Sequence, residues 1–113
     1  MSRTIFAAIA LVVSYSLGCA EISKSALVTT RPTLDAYRNC VVGRAKSFAG
    51  SPDSTESIIK SAMGACAAEK RTLNEALGLA GVGSDELAAF MSTLDQQIFQ
   101  AASLAVTEER AAH

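Results

Sequence analysis

CVVGRAKSFAGSPDSTESIIKSAMGAC, residues 40–66, begins and ends on a cysteine and carries a turn at its centre. Ser51-Pro52-Asp53 interrupts two alanine-containing stretches whose apolar residues recur every three or four positions, so the segment reads as helix, turn, helix. In an antiparallel helical hairpin, facing residues lie equally far from the turn. Cys40 and Cys66 are equidistant from Asp53. The same register sets Phe48 opposite Ile58, Val41 opposite Ala65 and Asp35 opposite Arg71. Apolar meets apolar and acid meets base, so a Cys40–Cys66 disulfide is expected to staple the two helices.

Working outward, the first helix is expected to open at Thr30 or Thr33, with Pro32 in its first turn. It should close near Ala49, before Gly50. Leu34, Tyr37, Val41, Ala45 and Phe48 form its apolar stripe. The second helix follows Asp53-Ser54-Thr55-Glu56, which has capping-box spacing. Ile58, Ile59, Ala62, Cys66, Leu73 and Leu77 mark its buried face, and the glycine-rich residues 78–83 end it. Ser84 is expected to cap a third helix, with Asp85 and Glu86 near the positive end of its dipole. Leu87, Met91, Leu94, Ile98, Ala101 and Ala105 alternate by four and three along its seam. The fold class is therefore all-α: a small three-helix bundle made of a disulfide-stapled hairpin and a third amphipathic helix, preceded by an N-terminal signal helix.

Residues 1–20 have the composition of an export signal. Arg3 supplies a positive n-region, Ile5 to Leu17 is an uncharged apolar run, and Gly18-Cys19-Ala20 offers small residues for a peptidase. The run is shorter than the roughly 20 residues of a transmembrane helix. Gly18-Cys19 resembles a bacterial lipobox, although Ser16 stands where that motif carries leucine. Lipidation at Cys19 would make residues 1–18 the signal and anchor the chain to a membrane; cleavage after Ala20 would release it. In either case Cys40 and Cys66 remain as the pair. Glu21–Thr29 reads as a tether, and residues 30–113 as the helical domain.

Without its signal the chain keeps about 93 of its 113 residues, enough for one small domain. Such a domain buries a modest core, which a staple supplements. With pI near 5.7 and no interleaving of aromatic and basic residues, nucleic acid is not an expected partner. Charge is unevenly placed. Lys24 to Arg71 holds eight basic and four acidic residues, whereas Thr72 to His113 holds one basic and six acidic. The third helix is thus acidic beside a basic hairpin.

Catalytic chemistry is sparse. Ser57 and Lys60 have S-x-x-K spacing but lack the companion motifs that give it meaning. Glu109 and His113 are only two ligands at a chain end, so no metal site is expected. His113 is the only histidine, and the cysteines lack C-x-x-C spacing. No phosphate loop, dinucleotide fingerprint or calcium loop occurs, and no cofactor is implied. Two features stand out from the pattern. Glu69 falls in the apolar stripe of the second helix, facing Tyr37 in the hairpin register, and makes a candidate buried polar site. Phe99 lies off the third helix's seam, in line with Ala88, Ala102 and Val106, and makes a candidate interaction face.

The resulting expectation is a small exported bacterial envelope protein, periplasmic or held at a membrane through Cys19. It would act as a non-catalytic interaction module: an adaptor, an inhibitor or an accessory lipoprotein with a protein partner. The alternative is a structural homo-oligomer self-associating through the third helix. A small enzyme or redox protein is the remote third reading.

Overall fold

The computed structural model describes residues 22–112, which form four α-helices and no strand. These are α1 (Lys24–Phe48), α2 (Thr55–Ala65), α3 (Ala67–Leu79) and α4 (Ser84–Ala111). The expected export signal, residues 1–20 with Cys19, lies outside the described residues, as does His113.

α1 begins well before the expected position. Ser23 caps it by accepting a hydrogen bond from the Ala26 amide, so most of the expected tether is helix. The extension is stabilised by burial: Ile22, Ala26 and Thr30 are all buried. Pro32 consequently sits inside the helix rather than in its first turn. It cannot donate to the Val28 carbonyl, a cost of about 3 kcal/mol in an isolated helix, which the buried N-terminal face must offset. Past Pro32, Tyr37, Val41 and Ala45 are fully buried, and α1 packs against each of the other three helices.

The expected second helix is two. Cys66 leaves the helical region, at φ −102° and ψ 21°, and separates α2 from α3. Cys66 still bonds to both helices, because its amide donates to the Ala62 carbonyl and its own carbonyl accepts from the Lys70 amide. The four-helix count corrects the three-helix expectation. Gly64, two residues earlier, lowers the helical propensity at the bend. The cap of α2 is Ser54, whose Oγ accepts from the Ser57 amide, and not Asp53. The anticipated inner face is otherwise as read: Ile58, Ile59, Ala62, Cys66, Leu73 and Leu77 are buried.

α3 ends in a Schellman arrangement. The Val82 amide donates to Leu77 and the Gly81 amide to Gly78, with Gly81 at φ 92°. That left-handed position is one that glycine takes without a Cβ clash. Gly83, not Ser84, is the N-cap of α4, and Asp85 and Glu86 occupy the first turn.

The core face of α4 departs from the heptad seam. Met91, Leu94, Ile98, Ala102, Ala105 and Val106 are buried, while Ala101 is only partly so. A straight helix has 3.6 residues per turn and drifts about 20° per heptad from a 3.5-residue repeat. By the end of α4 the inward stripe has moved onto Ala102 and Val106. The helix therefore buries two residues that a strict heptad places outside.

Candidate functional site

Side chains from α1, from the α2–α3 bend and from α4 meet in a polar node inside this apolar frame. Its first component is the Cys40–Cys66 disulfide, with Cα atoms 6.0 Å apart. Cys66 is fully buried and Cys40 partly so. The bond crosses the hairpin in the register expected from the turn. On the chain-entropy account, closing a loop of this length stabilises the fold by roughly 3–4 kcal/mol.

Glu69 follows Cys66 by one helical turn. A carboxylate oxygen of Glu69 and the two sulfurs all lie within 4.8 Å of one another. Oε2 of Glu69 is buried and has no hydrogen-bond partner. This is the residue that the sequence marks as a candidate buried polar site; its Oε2 is enclosed while the residue as a whole is partly exposed.

Tyr37 has a different partner from the one its register suggests. Its hydroxyl donates to Oδ1 of Asp95 at 2.7 Å, on α4, rather than pairing with Glu69. Lys70 donates to the other oxygen, Oδ2, at 2.6 Å. Asp95 therefore ties α1 and α3 to α4 through its two oxygens. Burial raises the Tyr37 pKa well above the ordinary phenol value, and the hydrogen bond to Asp95 and its negative charge add to the effect. The phenol is thus held as a neutral donor. Neither Asp95 nor Lys70 stands out in the sequence pattern, although a buried tyrosine hydroxyl requires a partner. Asp95 occupies the position next to Leu94, beside the seam, and that location is the available signal.

Asp35, expected opposite Arg71, pairs instead within α1 with Arg31 at 3.5 Å. Both partners are substantially exposed, so this pair adds little.

The candidate face around Phe99 is divided by the structure. Ala102 and Val106 are fully buried, and Phe99 is partly buried against the core. Phe99 lines a shallow depression with Met63, Asp95 and Gln96. Ala88, which is exposed, lines a separate open cleft between α3 and α4 with Lys70, Arg71 and Met91. The four residues do not make one solvent-facing strip. The drift of the inward stripe along α4 is the reason.

The exposed large apolar side chains are Val28, Leu79 and Leu104 among the described residues. Val28 lines a groove on α1 with Leu27, Pro32 and Leu34, flanked by Arg31 and Asp35. No helix among the described residues is long and apolar enough to cross a membrane. Comparison with protein-family models, curated proteins and solved structures finds no match to the chain.

Proposed function

We propose that the chain is a small exported bacterial envelope protein that works by binding a protein partner rather than by catalysis. It resides in the periplasm, either soluble or anchored through a lipidated Cys19. The observation that carries this reading is the Cys40–Cys66 disulfide. Structural disulfides persist in oxidising compartments, and the apolar run Ile5–Leu17 supplies a route to one.

The chemistry of the polar node favours binding over catalysis. Both oxygens of Asp95 are engaged by donors, and Tyr37 is fully buried with its proton held. The Tyr37–Asp95–Lys70 contacts brace the helices, and Asp95, held by two donors, is not free to act as a base. The groove around Val28 follows Cys19 closely in the chain and offers apolar area to a partner near the anchoring end. Leu104, 62% exposed on α4, favours the second reading, self-association through the last helix.

The test is an intact mass of the protein from soluble and membrane fractions, combined with photo-crosslinkers placed at Val28 and at Leu104. A mass lacking the leader and an adduct from Val28 to another envelope protein support the interaction module. A Leu104 adduct between two copies of this chain supports the homo-oligomer. An unprocessed chain retained in the cytoplasm overturns both.

A further inference from the structure

Glu69 is left unexplained by the fold and by a binding role. Its carboxylate stands beside two sulfurs, and its buried Oε2 has no hydrogen-bond donor. An unsatisfied buried polar atom is costly, and disulfide sulfurs carry no proton to donate to it. Replacement of the disulfide by two thiols changes the character of the group. Two thiolates from facing helices, with a carboxylate one turn beyond the second, are all zinc-ligand types.

We propose that the reduced form of this protein binds a thiophilic divalent cation, zinc or cadmium, through Cys40, Cys66 and Glu69. Metal–sulfur bonds of about 2.3 Å in a tetrahedron place two thiolates roughly 3.8 Å apart. A Cα separation of 6.0 Å reaches that spacing by side-chain rotation. The carboxylate oxygen is already within 4.8 Å of both sulfurs and closes on the ion by a movement of about an ångström. Lys70, the next residue, is bound to Asp95, which directs its ammonium to a different carboxylate. Three protein ligands leave a fourth position for water on the partly exposed Cys40 side. The soft sulfur pair selects against magnesium and calcium.

The chemistry balances with a dithiol as reductant. The disulfide accepts two electrons and two protons, and the dithiol becomes a disulfide. Metal binding then displaces both thiol protons to solvent, so affinity rises with pH.

The full chain is reduced anaerobically with dithiothreitol, desalted and titrated with Co2+, with the oxidised chain as control. One equivalent should bind to the reduced chain alone, giving thiolate-to-cobalt charge transfer and tetrahedral visible bands that Zn2+ abolishes. Glu69→Gln should weaken cobalt binding at least tenfold while its oxidised form melts as a folded protein. Should the reduced chain lose helix, cobalt must restore the helical circular dichroism as the bands appear. Absence of the charge-transfer band, a band without helical structure, or unchanged affinity in Glu69→Gln overturns the proposal.

Discussion

Arg110, in the last turn of α4, donates through Nε to the carbonyl oxygen of Ala49 at 3.0 Å. Its Nη2 reaches the carbonyls of Ser51 and Asp53 at 3.0 and 2.7 Å. One guanidinium thus closes the C-terminal end of α1 and the turn that follows. The last carbonyls of a helix lack intrahelical partners, and its C-terminal end carries partial negative charge. Gly50 is not left-handed, so this helix does not end by the glycine mechanism its sequence suggests. The cation from the far end of the chain performs that role. It also joins the acidic last helix to the hairpin.

Arg110→Ala should destabilise the protein by about 1–2 kcal/mol, because several charge-assisted bonds are lost at an exposed site. Arg110→Lys should recover only part of the loss, since one ammonium cannot span the same carbonyls. Urea melts of the three proteins give the order directly. Equal stability of wild type and Arg110→Ala would remove the clasp from the account of the fold.

The Tyr37–Asp95–Lys70 node gives a ranking. Asp95→Ala leaves a buried tyrosine hydroxyl without an acceptor and should cost about 1–3 kcal/mol. Tyr37→Phe removes donor and proton together and should cost about 1 kcal/mol. Lys70→Met should cost less than about 1 kcal/mol, because the Lys70 side chain is 41% exposed. A larger loss from Lys70→Met than from Asp95→Ala contradicts this assignment.

The same node predicts alkaline sensitivity. Folding raises the Tyr37 pKa above the ordinary value of about 10. Above that pH the unfolded chain releases the proton first, so the folded state binds more protons and stability falls with rising pH. Below it the contribution is fully present. Denaturation midpoints of wild type should therefore decline faster above about pH 10 than those of Tyr37→Phe. Parallel curves would place the phenol in an ordinary environment.

Reduction of the Cys40–Cys66 bond, or the Cys66→Ala change, should lower Tm by on the order of 10 °C. A loss of about 3 kcal/mol is a large share of the stability of a domain this small. The measurement is a pair of thermal melts with and without reductant, followed by circular dichroism. Coincident curves would mean that the staple adds no stability.

The hairpin was legible in the sequence because its register is symmetric about one turn and is repeated by several pairs. The Cys40–Cys66 bond and the buried set from Ile58 to Leu77 follow from it. The bend at Cys66 was not legible: an isolated Gly64 is tolerated within a helix, Glu69 interrupts the apolar stripe without signalling a turn, and the departure is confined to one residue's dihedrals. The early start of α1 was hidden by Pro32, which marks a helix beginning unless tertiary burial overrides it, as Ile22, Ala26 and Thr30 do here. Asp95 is not legible in the sequence because an acid beside a seam ordinarily points to water. Its role depends on a tyrosine far away in the chain, and local periodicity cannot place that partner.

The drift of the inward face along α4 has its own consequence for substitution. Ala101 lies on the heptad seam but is only partly buried, whereas Ala102 lies off it and is fully enclosed. Added side-chain volume should therefore be felt at the second position and not at the first. Ala102→Leu forces methylene groups into a packed interior and should cost roughly 1–3 kcal/mol. Ala101→Leu should stay within about 0.5 kcal/mol, as changes away from the core commonly do. Phe99→Asp belongs with Ala102→Leu, since it sets a charge against the core and next to the Asp95 carboxylate rather than on a free face. Urea melts of the three variants settle the orientation of the helix. If Ala101→Leu proved the more damaging of the two alanine changes, the helix would follow the heptad seam, and Phe99 with Ala102 and Val106 would return to the surface as a contact strip.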